Sequence, residues 1–228
     1  MIYLSEIFSL IQLQYTLNMD VVLGASRAKF LESPLREIHS NPRRLFVDFE
    51  PGAKLSELAD QACEILEKSN NPSQIHIYFM AGLCDVTQKI KNREWVRCRD
   101  GHWERALYNE VIFDGSWHDS PKAITDKIEE IQSRIMSYEA KPCFLTIPTC
   151  SLHTWNTTRL NKFKTCHLLH HHQYPDMQEN LNKTLWEVNH KIIEINSTTK
   201  MFTPKIADTI MVNSGPGKNP RIFLRQTW

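Results

Sequence analysis

A chain of 228 residues, 41% hydrophobic and 23% charged, is long enough for one sizeable core and short for two, so one globular domain is expected. With 27 Lys and Arg against 26 Asp and Glu the formal charge is +1, which gives no bulk attraction to nucleic acid or to a membrane surface. Such a partner would need a local patch, and no uncharged run reaches the roughly 18 residues of a membrane-spanning helix.

Residues 1–18 form an apolar N-terminal extension. It has no basic start, Glu6 interrupts it and no small-residue cleavage site follows, so it does not read as a signal peptide. The predicted domain occupies 19–228. Met19 to Gly24 is an apolar run closed by glycine, the pattern of a buried strand, and residues 27–38 return as a short helix. Arg44 to Phe49 is the second strand, stopped at Pro51-Gly52. Leu55, Leu58, Ala62, Ile65 and Leu66 keep helical spacing, and Asn70-Asn71-Pro72 ends that helix before the strand Ile75 to Met80.

Ser120-Pro121 opens a further helix with a capping serine and a proline in its first turn, striped by Ile124, Ile128, Ile131 and Ile135. Cys143 to Ile147 is the fourth strand. The longest helix is expected from Asp176, as cap with Glu179, to about Ser197. Between these elements lie two insertions, 86–119 and 149–175, with a hairpin expected around Arg105 to Asp114; Arg221 to Trp228 reads as a final strand. Alternating strands and helices of this kind predict a three-layer α/β/α sandwich with a mostly parallel, flavodoxin-like sheet.

Six cysteines are scattered without a Cys-x-x-Cys pair and read as reduced core residues, which favours an intracellular, cytoplasmic protein. Three Asn-x-Ser/Thr sequons, at Asn156, Asn182 and Asn196, point the other way but arise readily by chance in a chain rich in Asn and Thr.

Three short segments fall at the carboxyl ends of the first three strands, where an open parallel sheet places its ligand crevice: Gly24-Ala25-Ser26-Arg27, Pro51-Gly52-Ala53 and Gly82-Leu83-Cys84-Asp85. A serine on a tight turn between strand and helix presents its hydroxyl at the crevice, beside N–H groups that can stabilise an oxyanion. Ser26 is thus a candidate nucleophile, and equally a candidate N-cap, the commonest role of a serine so placed.

Together, in order and spacing, these segments resemble the sequence blocks of the SGNH hydrolases, the GDSL-esterase superfamily. Gly24-Ala25-Ser26 resembles the nucleophile block, Gly52 the oxyanion-hole glycine, and Gly82-Leu83-Cys84-Asp85 the Gly-x-Asn-Asp block. The wording is most similar to SGNH-like domains of animal transposable elements, from about Asp20 to Trp228 and most strongly before residue 90. The resemblance implies a catalytic Ser26, an oxyanion hole at Gly52 and Cys84, and a crevice bounded by Gly24, Arg27, Gly82 and Asp85 that takes a small ester-type ligand without a cofactor. Ala25 stands where the family has Asp, and Cys84 where it has an Asn donor; a thiol donates poorly, at a cost of roughly 10²–10³ in rate. The family's Asp-x-x-His would follow the final strand, where this sequence stops. On these grounds catalysis is expected to be impaired or absent.

No other histidine has a sequence argument for reaching Ser26. His167, His170, His171 and His172, near Cys166, read as a solvated polar loop, since no second cluster completes a four-ligand metal site. His190 should be exposed on its helix, and His76 should be a satisfied core histidine. The first insertion interleaves Lys89, Lys91, Arg93, Trp95, Arg97, Arg99, His102, Trp103 and Arg105, a composition that suits either single-stranded nucleic acid or a solvated hairpin with its aromatics packed on the sheet. Three hypotheses follow: a hydrolase-like domain with an incomplete catalytic set, a nucleic-acid or protein binding module, or an active ester hydrolase whose base is unidentified.

Overall fold

A computed structural model describes residues 18–25, 32–39, 41–97, 100–113, 115, 120–160, 173–201, 209–212 and 221–224. Outside the described residues lie Ser26, Arg27, the histidines from His167 to His172 and nearly all of the N-terminal extension. The elements are β1 (Met19–Gly24), α1 (Glu32–Ile38), β2 (Leu45–Phe49), α2 (Leu55–Glu67), β3 (Ile75–Met80), α3 (Leu83–Val86), β4 (Gln88–Arg97) and β5 (Trp103–Ile112). There follow α4 (Pro121–Met136), β6 (Lys141–Phe144), α5 (Leu152–Leu160), α6 (Tyr174–Thr198), β7 (Thr209–Val212) and β8 (Arg221–Leu224).

The main sheet is parallel, in the order β2-β1-β3-β6. This is the flavodoxin-like order, with the first strand inside and the chain winding outward in both directions. Alternation along β1 divides the sheet's two faces. Val21 and Leu23, with Ile77 and Phe79 of β3, are fully buried against the apolar stripes of α2, α4 and α6. Val22, on the other face, packs with Leu35 of α1, Leu45 and Val47. Helices therefore cover both faces, as the sequence pattern predicts.

Each strand entry and helix start has a local cause. Asn41-Pro42 and Asn71-Pro72 each open a one-turn 3-10 helix that delivers the chain into β2 and β3, the proline fixing φ at the turn. Ser120 caps α4 by accepting the Ala123 N–H at 3.2 Å, with Pro121 in the first turn. The four isoleucines of α4 are then buried, each contributing about 1.5–3 kcal/mol as an upper estimate. Phe79 and Phe144 stack across β3 and β6 with ring centroids 5.0 Å apart.

β6 is an edge strand, and it tolerates Pro142 for that reason. Its exposed backbone is satisfied by α6. Asn196 accepts the Phe144 N–H at 2.9 Å and donates to the Phe144 carbonyl at 2.7 Å, while Asn189, two helical turns earlier, does the same to Ile147 at 2.6 and 3.0 Å.

Four expectations are corrected. The hairpin is longer and earlier than Arg105 to Asp114, because the alternation of β4 and β5 lies in charge as much as in apolarity. The longest helix starts at Tyr174 with Pro175 in its first turn, so Asp176 sits inside that turn as a favourable charge and is not its cap. Arg221–Leu224 pairs antiparallel with Thr209–Val212 and does not join the parallel sheet. The fourth strand covers Lys141–Phe144, and Leu145 to Ile147 continues it as irregular backbone.

Candidate functional site

Three parallel strands end side by side, and their loops are tied together by main-chain bonds. The Ala25 N–H donates to the Met80 carbonyl at 3.1 Å, and the Glu50 N–H donates to the Gly24 carbonyl at 2.9 Å. The chain then leaves β2 through Pro51-Gly52, with Gly52 at φ 90°, and leaves β3 through Gly82 at φ 115°. The second position requires glycine for space as well as for dihedral: a Cβ there would lie 2.4 Å from Ile147 Cδ1.

Between these loops lies a cavity of about 330 Å³. Ala25, Gly52 and Cys84 all line it, so each of the three strand-end segments contributes. The remaining wall comes from β6's continuation at Thr146 and Ile147, and from Cys150 and Trp155. Lys89 and Val111, a directly opposed pair at the root of the hairpin, close one side. A more polar recess beside it holds Lys54, Asp85 and Gln88, sharing Gly52, Cys84, Thr87 and Lys89 with the cavity.

Of the residues singled out in the sequence, Gly52 and Cys84 thus share one cavity, and Gly24 and Gly82 form its strand ends. Asp85 lies in the adjoining recess with a fully buried side chain. One carboxylate oxygen accepts the Leu55 N–H at 3.0 Å, satisfying the N-terminus of α2, and the other accepts from Lys127 Nζ at 3.1 Å. It pins α2 and α4 to α3 beneath the crevice. Ser26 and Arg27 fall outside the described residues, one and two positions beyond the cavity-lining Ala25.

Trp155, Cys150, Thr146 and Val111 carry no motif and were not legible as site residues. The position of Lys89 was half legible, as one of the basic run. Its Nζ sits 2.9 Å from where a Cβ on Gly52 would be, so the ammonium lies over that glycine at the cavity wall.

Among the described residues, no histidine lines the cavity. His153 is exposed and meets Tyr174 edge-on, and His190 is exposed with its Nδ1 2.8 Å from the Trp186 carbonyl. His39 and His76 are buried at the opposite end of the sheet, around Asp20. The Asn41 N–H donates to His39 Nδ1 at 3.1 Å, so His39 Nε2 carries the proton it gives to Asp20 Oδ2 at 2.9 Å. The second Asp20 oxygen lies 3.3 Å from His76 Nδ1, and Asn18 lies 3.2 Å from His76 Nε2.

Among the described residues, no group of three or more His, Cys, Asp or Glu is arranged to hold a metal ion. Among the described residues, no disulfide joins Cys63, Cys84, Cys143 and Cys150. Burial pushes the Cys143 thiol up to about 12, so it stays protonated and inert at neutral pH, and burial raises Cys63 as well. Two of the three sequon asparagines are buried and bonded. Asn196 clamps Phe144, and Asn156 pairs with both backbone groups of Val111 at 2.8 Å.

That Val111 clamp roots the hairpin. Asn156 also donates to Tyr174 Oη, which donates to the fully buried Glu110. Further out, Lys91, Trp95, Trp103 and Arg105 are exposed, and the register puts Arg93 and Arg97 on the same face. The indoles are 63% exposed, so the packed-down arrangement does not occur.

Fold and site together define an α/β domain of flavodoxin-like strand order with a cavity at the carboxyl edge of its sheet. No family model and no curated protein matches the chain. Among the described residues, no helix is long and apolar enough to cross a membrane.

Proposed function

We propose that the chain is an SGNH-hydrolase-like domain of mobile-element type whose strand-end crevice holds a small ester-type ligand and turns it over poorly or not at all. One observation carries this reading: Ala25, Gly52 and Cys84, from three separate strand ends, line one cavity of about 330 Å³. Its walls are largely apolar and suit an acyl or aryl group, with Thr87, Lys89 and Thr146 as the polar exceptions. Poor turnover is supported by the residue types at the reacting positions. A serine hydroxyl needs a base to take its proton, and among the described residues the cavity has no imidazole. Cys84 stands where an amide would donate to the oxyanion, and a thiol does this weakly. Two sequon asparagines, Asn156 and Asn196, are buried and hydrogen-bonded to main chain, which is in keeping with a cytoplasmic protein.

Filling the cavity tests the reading. Saturation-transfer NMR with p-nitrophenyl butyrate should give a signal with the native chain and none with Ala81→Phe, which projects a ring from the cavity wall. An undiminished signal in that variant would place the ligand elsewhere. A second reading, a nucleic-acid binding module, is favoured by the exposure of both hairpin indoles and does not need the crevice.

A further inference from the structure

We infer that one face of the β4–β5 hairpin is a docking surface for a single-stranded polynucleotide, running outward from the mouth of the crevice; this rests on the nucleic-acid reading and gives it a face, a strand state and a set of contacts. The ladder is regular from Gln88↔Ile112 to Arg97↔Trp103, so alternate residues share a face along its whole length. One face carries Lys89, Lys91, Arg93, Trp95 and Arg97 on β4, opposed by Val111, Asn109, Leu107, Arg105 and Trp103 on β5. It holds five cations, two tryptophans and no acid. The other face holds Glu94, Glu104 and Glu110 and no cation. A chain of net charge +1 has therefore sorted its charge strictly by face along this ribbon.

Orientation follows from the root of the ribbon. On the acidic face Glu110 is fully buried against Tyr174, and Ile112 is buried beside it. On the basic face Lys89 and Val111 line the crevice, and beyond them Lys91, Trp95, Trp103 and Arg105 are exposed. The cationic face is thus open to solvent and continuous with the cavity wall.

Charge alone would suit any polyanion, but the tryptophans select among them. Trp95 and Trp103 occupy diagonal positions on the basic face, about 7–8 Å apart by strand geometry, each directly opposite an arginine. Both indoles are 63% exposed, which leaves two neighbouring aromatic faces on the basic side of the ribbon accessible to a partner. Flat aromatic faces set among cations are what unpaired bases and their phosphates require. A duplex hides its base faces in the stack and offers the indoles nothing. Same-face residues recur about every 6.7 Å along a strand, a repeat close to the phosphate step of an extended single strand.

The test uses the full chain, a fluorescein-labelled oligo(dT) of about 12 nucleotides and the matching duplex, read by anisotropy across salt. The single strand should bind more tightly than the duplex, with log Kd changing with log salt by a slope of about 2 to 3, as for three or four phosphates. Trp95→Ala with Trp103→Ala should weaken binding tenfold or more, while Phe at both positions should keep it within about threefold, because the stacking faces remain. Lys91→Ala with Arg105→Ala should lower the slope by about 1.4. All these positions are exposed, so each variant should keep the native circular dichroism spectrum. Equal or tighter binding of the duplex, or native affinity in the double alanine variant, would overturn the inference while nucleic-acid binding itself survived. So would displacement of oligo(dT) by polyglutamate at equal charge, which would mark a general polyanion surface. No binding even at low salt would overturn both.

Discussion

The two ends of the parallel sheet contrast sharply. At the amino end, Asp20 sits between two buried imidazoles, His39 and His76, in a hydrogen-bonded array of acid and base. At the carboxyl end, where a parallel sheet holds its ligands, the described walls of the cavity are mostly apolar or sulfur-bearing, with Thr87, Lys89 and Thr146 the polar exceptions. Asp20 and Gly24 are four residues apart on β1, about 13 Å of extended chain. Among the described residues, the buried pairing of acid with imidazole therefore lies at the amino end, while the crevice end has the acid Asp85 in its recess and no imidazole in its cavity wall. Residue type does not make a site; position on the sheet does.

Breaking the amino end should damage stability and spare the crevice. Asp20→Ala leaves two buried imidazoles without their acceptor and should cost about 3–4 kcal/mol, read as a lowered urea midpoint, with p-nitrophenyl butyrate binding unchanged. Loss of binding in a variant that still folds would join the two ends functionally and contradict the contrast.

Breaking the carboxyl end should do both. Gly82→Ala forces a side chain into positive φ and against Ile147, for a loss of about 2–3 kcal/mol. Because Ile147 itself lines the cavity, ligand binding should fall as well. A variant as stable as the native chain would show that Ile147 moves aside freely.

How much of this could be read in advance depended on what each element uses as its signal. β1, β2 and β3 are mainly apolar runs, each with one polar residue, closed by turn residues, and the α4 start is written in Ser120-Pro121, so these were legible. The hairpin was misplaced because its period-two pattern is carried by Lys91, Arg93, Trp95 and Arg97 against Ile90, Asn92, Glu94 and Val96, and few of these positions are apolar. The α6 start was displaced because an Asp three residues before a Glu looks like a cap, while Tyr174-Pro175 had already begun the helix. The clamps at Asn156, Asn189 and Asn196 were invisible because their partners are main-chain groups far away in sequence. At the site, the motif-bearing Gly52 and Cys84 were found, whereas Trp155 and Cys150 enter from an insertion with no pattern of its own.

The proposed function rests on a hydrolase-like crevice with, among its described lining residues, no imidazole to serve as a base. The most direct test is the rate of p-nitrophenyl butyrate hydrolysis by the 228-residue chain, compared with Ser26→Ala. Equal rates are predicted, because no imidazole lines the cavity among the described residues and a thiol at Cys84 is a weak oxyanion donor. A rate well above background that disappears in Ser26→Ala would contradict the account and place a base beside Ser26 after all.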